Sequence, residues 1–262
     1  MSSALHLGRP ERAWRAFSQW RSSWLSREGI ASVFTFVPTG LFGIGWLLFE
    51  RTDGMVAMSG LVMAGAAAVT VAATGMIYAC LKPIAQWHTP FTVPAYLIFA
   101  VMTGSVLLDA ILALMNLPDR RPQYVALIAI GFGWISKRAT WRHNDRLASP
   151  ATLNSATGLA GGQVRSIEWP HTEENYLLKE MGYRVARKHA EKLRMLAQLL
   201  AFGLPLLATA LALANDGGIA KLASVAAVLT QAPGILVERW LFFAEASRTV
   251  RLYYGHEPAG HA

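Results

Sequence analysis

The sequence has almost no cysteine: Cys80 stands alone among 262 residues. A single thiol excludes an intrachain disulfide framework, and it excludes any cysteine-ligated metal or iron–sulfur cluster held by this chain by itself. Charge is scarce as well, at 15% of residues, against roughly 25% in a soluble domain. Histidine is absent from the middle of every apolar run, since His6, His88, His143, His171, His189, His256 and His261 all fall in loops or near run ends. A membrane b-type haem needs two histidines facing each other inside a bundle, so no haem is expected, and no metal site is assigned. HExxH, Walker and GxSxG patterns are missing, which leaves hydrolytic and nucleotide chemistry unsupported. The stretch before Ile30 holds five arginines and no continuous apolar core, so it does not read as a cleavable signal peptide.

What the sequence has is apolar length. Hydrophobic residues make up 53% of the chain and the mean hydropathy is +0.33, too much apolar surface for one water-soluble core. The apolar runs approach or exceed the roughly 20 residues that a helix needs to cross about 30 Å of hydrocarbon. They extend from about Ile30 to Phe49, Met55 to Leu81, Phe91 to Leu117, Pro122 to Trp141, Leu193 to Ala214 and Ile219 to Ser247. The expected fold is therefore an all-α integral membrane bundle of about six transmembrane helices, forming one membrane domain over residues 1–262. Short polar turns at Glu50 to Gly54, Pro118 to Arg121 and Asn215 to Gly218 make consecutive helices antiparallel neighbours.

One connection differs. The stretch from Arg142 to Lys192 is long and polar, and its second half, Thr172 to Arg194, reads as a basic amphipathic helix. Two readings stand for it: a helix lying on lipid headgroups, or a docking surface for a soluble partner. The net charge of +8 does not imply nucleic-acid binding, because the basic residues sit between apolar runs where topology accounts for them. Nineteen of the 24 Lys and Arg residues fall on the face that carries the N-terminus and the long loop, while Arg51, Arg120, Arg121 and Lys221 fall on the other. The positive-inside rule makes the basic face cytoplasmic, in a bacterial inner membrane.

The candidate chemistry lies on that basic rim. His6-Leu7-Gly8-Arg9-Pro10-Glu11-Arg12-Ala13-Trp14 precedes the first span, and Glu28 follows at a helix start after Ser26. On His6, Leu7, Gly8, Pro10, Arg12, Ala13, Ser26 and Glu28 the chain resembles the membrane anchor subunits of DMSO reductase and its relatives. Tyr78, the Trp87-His88-Thr89-Pro90 stretch and Glu238-Arg239 in the last span extend the resemblance over most of the chain. Ser155 to Gly158 and Tyr183 to Ala190 look most like the subgroup that serves cytoplasmic sulfite dehydrogenase (quinone). Family members commonly have about eight spans, two of them ahead of the histidine stretch. Here Met1 stands five residues before His6, so either the start is assigned late or that helix pair is absent.

The resemblance implies an anchor that passes electrons between an iron–sulfur, ferredoxin-like subunit and membrane quinone (ubiquinone or menaquinone), with a molybdopterin catalytic subunit on the cytoplasmic side. Molybdenum and iron–sulfur clusters then belong to partner subunits alone. Sulfite oxidation is the implied chemistry, with a quinol-oxidising DMSO-reductase-type or other sulfur-compound reductase as the alternative. The expected quinone-binding residues are His6, Arg12, Glu28, Trp87 and His88, with Glu238 and Arg239 as a proton path or an intramembrane pair.

Residue chemistry agrees with these roles, since an imidazole donates to a quinone carbonyl and a carboxyl at an apolar boundary exchanges protons. Plainer alternatives stay open: His6 as an interfacial residue, Glu28 as a charge favoured by the helix dipole, and Arg9 and Arg12 as topology determinants. Trp14, Trp20, Trp24 and Trp87 fit an aromatic belt as well as a quinone lining. Asp109 is either a cap or a proton-path residue. A transporter unrelated to redox, the other class considered, is expected to show internal repeats and paired interrupted helices, and neither is visible.

Overall fold

The computed structural model describes residues 10–117, 119–147, 152–159, 162–165, 167–168 and 183–247. Among the described residues every regular element is helical. A 3-10 turn at Pro10–Arg12 leads into α1 (Arg15–Ser18), followed by α2 (Trp24–Phe49), α3 (Gly54–Ala79), α4 (Thr92–Leu114) and α5 (Arg121–Asn144). The short α6 (Leu153–Thr157) and α7 (Arg184–Lys188) precede α8 (Ala190–Ala197), which runs through a π-helical segment, Gln198–Gly203, into α9 (Leu204–Ala214). The last helix is α10 (Gly217–Ala244).

The protein is an all-helical integral membrane protein. Among the described residues, five helices are long and apolar enough to cross a membrane: α2, α3, α4, the continuous stretch Ala190–Ala214, and α10. At 24 residues, α5 has the length of the fourth expected crossing, but its last two turns carry Lys137, Arg138, Arg142 and His143. The helix ends depart from the ends of the apolar runs by up to six residues. α2 starts at Trp24 rather than Ile30, because Ser23 caps it by accepting from the Ser26 amide at 3.4 Å. Hydropathy locates what lies in hydrocarbon, whereas a helix continues into the headgroup layer until a cap ends it.

The basic helix expected over Thr172–Arg194 is resolved differently in its described part. α7 holds five residues and stops at His189, and the following helix starts at Ala190, three residues before the expected span. Residues 169–182 lie outside the described set.

Two compact units divide the chain: residues up to Cys80 with Thr92–Leu97, and Leu81–Phe91 with Ile98 onward. The first is built on the antiparallel α2–α3 hairpin. Glu50, in the left-handed region at φ 51°, ends α2, and Asp53 precedes α3. Gly45 lets the helices meet near this turn, since a Cβ there would overlap the Val56 side chain. Large apolar side chains such as Phe36, Leu47 and Met55 point outward, at 72%, 73% and 85% exposure, as expected where lipid is the solvent.

The second unit has the better-packed core, in which Phe99, Met102 and Val106 of α4 meet Ala126 and Ile130 of α5, Phe202 of the π segment and Ala227 of α10. Pro205 explains the π segment: it has no N–H to donate to the carbonyl four residues back and its ring crowds that carbonyl, so the preceding turn widens. α10 packs on the widened turn at Gly234, where a Cβ would run into the backbone of Leu200 and Ala201. Only glycine permits that approach.

Candidate functional site

His6 lies outside the described residues. The other expected residues fall in both compact units, Arg12 and Glu28 in the first and Trp87, His88, Glu238 and Arg239 in the second.

In the first unit, Glu28 is half-buried in the second turn of α2, and its Oε1 accepts a hydrogen bond from the Thr74 hydroxyl of α3 at 2.6 Å. No acidic residue occupies the first turn of that helix, where the dipole acts most strongly. An inter-helix partner therefore accounts for Glu28 better than the dipole does. A second rung, Thr35 to Thr70 at 3.4 Å, lies deeper in the same hairpin. Arg12 is exposed and pairs with Glu11 at 4.0 Å. A pairing of Arg12 with Glu28 is not found among the described residues. Around this rim Trp14 and Trp20 are exposed, at 64% and 52%, and Arg27 stacks over Trp24 at 4.3 Å. Tyr78 stacks on Tyr96 at 5.9 Å between ring centroids.

In the second unit, Trp87 is buried. Its indole N–H donates to the Phe242 carbonyl at 2.9 Å, and its ring stacks on Phe242 at 5.4 Å. That donor is therefore engaged in holding the 81–91 connection to the end of α10. Gln86 adds to the same seam by donating to the Ser247 hydroxyl at 2.9 Å. His88 is exposed.

Glu238 and Arg239 occupy a more organised place than the sequence alone assigns. The Glu238 side chain is completely buried. It pairs with Lys137 of α5 through Oε1, while the Arg239 guanidinium donates to Oε2 at 2.5 Å and to Oε1 at 2.9 Å. Arg239 also lies over the Phe99 and Phe242 rings at 5.3 and 4.8 Å. Lys137 is the functional candidate missing from the sequence reading, where it counts among the rim cations. Its side chain is 5% exposed, with Nζ 4.8 Å from the Trp141 ring centroid. A signal for it exists in the sequence, because a lysine inside an apolar run requires a partner.

Trp141 also touches a second cluster. Arg194 lies 5.4 Å from the ring centroid, forks onto Asp145 at 2.8 and 2.9 Å and reaches Glu245 at 2.6 Å. Nearby, Arg187 of α7 donates to the carbonyls of Ala244 and Ala246 at 2.8 and 2.9 Å. A guanidinium there satisfies carbonyls that the end of α10 leaves unpaired.

At the opposite rim of the second unit, a cavity of about 400 Å³ opens between α4, α5, α9 and α10, and Asp109, Gln123 and Ser224 border it. Asp109 is 3% exposed. Lys221 closes one side by donating to Asn116 at 2.9 Å, and Arg120 pairs with Asp216 at 3.1 Å. Outside the spans, the hydrogen bond from Arg121 holds the carboxyl of Asp119 below the usual carboxylate range.

Residues 1–245 match the family model of the DMSO reductase anchor subunit (DmsC). This chain belongs to that family. Anchor membership makes it the multi-pass membrane subunit of a molybdoenzyme complex rather than a soluble carrier. The chain is similar to the sulfite dehydrogenase C subunit of Allochromatium vinosum, with 32% identity over 267 residues that cover 97% of this chain and 80% of that protein. No solved structure matches.

Proposed function

We propose that this anchor reduces membrane quinone with electrons from a cytoplasmic iron–sulfur subunit, which receives them from a molybdenum subunit that oxidises sulfite. The observation that carries the reading is the Glu28–Thr74 pair, a carboxylate held half-buried at the end of a membrane hairpin by a hydroxyl from the facing helix. Quinone supplies the two-electron acceptor, and its carbonyl oxygens require proton donors within reach. Glu28 suits that need: it borders the apolar layer, and its bond to Thr74 fixes one oxygen while leaving the other for exchange. Carboxylate and hydroxyl together offer both an acceptor and a donor, which matches the chemistry of a quinone head group. His6 and Arg12, from the stretch ahead of α2, are the proposed donor and positive charge that act with Glu28.

Sulfite as the substrate rests on the similarity to the sulfite dehydrogenase C subunit. The excess of Lys and Arg on the rim of Glu28 supports a cytoplasmic location for that rim and its partners. The test is sulfite-dependent reduction of a short-chain ubiquinone by the purified complex carrying Glu28→Gln. A loss of about 10- to 100-fold with the subunits still assembled is expected. Unchanged quinone reduction in an intact complex would remove Glu28 from the site.

A further inference from the structure

The far-rim cavity of the second unit holds polar groups that quinone reduction does not use. Turn residues Asn116, Asn215 and Asp216 border it, so its mouth lies where the spans end and the lipid headgroups begin. Asp109 stands five residues before the end of α4 at Leu114, about 7–8 Å inside that boundary. Its side chain is buried, with no hydrogen bond or ion pair among the described residues. Two more groups on the cavity wall, Gln123 Oε1 of α5 and the Ser224 hydroxyl of α10, are buried and lack a hydrogen-bond partner. The mouth carries the opposite charge. Lys221 donates to the amide oxygen of Asn116 at 2.9 Å and meets no carboxylate among the described residues, while Arg120 and Asp216 neutralise each other at 3.1 Å. One carboxylate without a counter-ion therefore lies deep, and one ammonium without a counter-ion lies nearer the rim.

Water can satisfy the amide and the hydroxyl, but it brings no charge to Asp109, and an unpaired carboxylate inside a span is costly. Three oxygen-bearing side chains, one of them anionic, suit a primary ammonium, which donates three N–H bonds and carries one positive charge. A bare monovalent cation answers less of the site. It leaves most of a cavity of about 400 Å³ unfilled, where one water takes about 30 Å³, and it leaves Lys221 without an anion. A single zwitterion meets both demands. We propose that this cavity binds the headgroup of phosphatidylethanolamine from the far leaflet, its ammonium against Asp109, Gln123 and Ser224 and its phosphate against Lys221. Pockets between membrane helices recognise lipid headgroups by such charge pairing. A choline headgroup has no N–H to donate and a glycerol headgroup has no positive charge, so each fails at the deep end. Nothing in the site depends on quinone chemistry at Glu28.

The purified complex in mild detergent is offered equal amounts of phosphatidylethanolamine, phosphatidylcholine and phosphatidylglycerol with identical acyl chains, and native mass spectrometry reads the lipid retained. The ethanolamine lipid is expected to exceed each of the others by about tenfold, and Asp109→Asn should bring those ratios to about one. Lys221→Gln, at the mouth, should lower retention of the ethanolamine lipid about three- to tenfold. Ser224→Ala, which removes one neutral acceptor, should lower it about threefold, and these two variants decide the matter if Asp109→Asn does not assemble. Equal retention of the three lipids by the unmodified complex overturns the site, as does an unchanged preference in the variants that assemble. Glycerophosphoethanolamine, the same head without tails, should displace little of the lipid at equal concentration. Full displacement by it overturns the lipid as occupant and assigns the cavity to a soluble amine instead.

Discussion

The ammonium of Lys137 on α5 rests against the carboxylate of Glu238 on α10, and both side chains are shut away from solvent. Two helices 101 positions apart in sequence are thereby joined by charge within the apolar layer, with Arg239 completing the cluster. Desolvating such charges is expensive, and the pair persists because each partner compensates the other.

Removing one partner should therefore cost more than removing both. Lys137→Met and Glu238→Met are each expected to destabilise the protein by about 3–5 kcal/mol, because each strands a buried charge. The double substitution should cost less than the sum. Thermal unfolding in detergent, arranged as a double-mutant cycle, measures the coupling. Additive losses would show that the two side chains do not stabilise one another.

Much of the architecture is readable without any coordinates. Apolar runs report transfer into hydrocarbon, and five of the six expected crossings return as helices long and apolar enough to span, the exception being α5 with its basic last two turns. The ends do not, because Ser23 extends α2 six residues beyond its apolar core through a local cap. The widened turn before Pro205 is not readable either, since a proline inside a span is compatible with a kink, a π segment or a break. At the site, Glu238, Arg239 and Lys137 all stand as charges within apolar runs, but which of them meet is not legible. Pairing across helices depends on the rotation of α5 about its axis, which composition does not encode. Trp87 carries a family motif, yet the bond from its indole to Phe242 becomes visible only once the loop and α10 meet.

The contact of α10 with the π segment makes a sharp prediction at Gly234. Any side chain there meets the backbone of Leu200 and Ala201, which have no rotamer to yield. Gly234→Val is expected to cost upward of about 3 kcal/mol and to lower the yield of folded protein. Gly43, whose Cβ would meet nothing within 4 Å, serves as the control, and Gly43→Ala should be neutral. Equal yields and melting temperatures for the two variants would rule out the close approach.

The bond between Thr74 and Glu28 separates positioning from chemistry. Thr74→Val keeps the shape of the side chain and removes the donor, while the carboxyl of Glu28 remains able to exchange protons. Quinone reduction should fall about three- to tenfold, less than in Glu28→Gln. Thr74→Ser, which restores a hydroxyl, should recover most of the rate. A Val variant with the full rate of quinone reduction would reduce the bond to a hairpin fastener.

Arg194 forks onto Asp145 while also reaching Glu245 and covering Trp141. Only a planar guanidinium satisfies two carboxylates and a ring face together. Arg194→Lys should lose about 1–2 kcal/mol despite keeping the charge, and Arg194→Met should lose more. Thermal unfolding in detergent ranks the three proteins, and a lysine variant as stable as the parent would mean that charge alone matters there.

The single cysteine turns the orientation into an experiment that needs no substitution. Cys80 follows the last residue of α3 and is exposed, at the rim that the arginine and lysine excess assigns to the cytoplasm. A membrane-impermeant maleimide is therefore expected to label the protein in inside-out vesicles and to leave it unlabelled in intact spheroplasts. Labelling should remain a single event per chain, because there is one thiol among 262 residues. Efficient labelling of intact spheroplasts would reverse the topology, moving Glu28 and the partner-binding rim to the outer face. In that case the proposed electron donor on the cytoplasmic side could not reach the anchor.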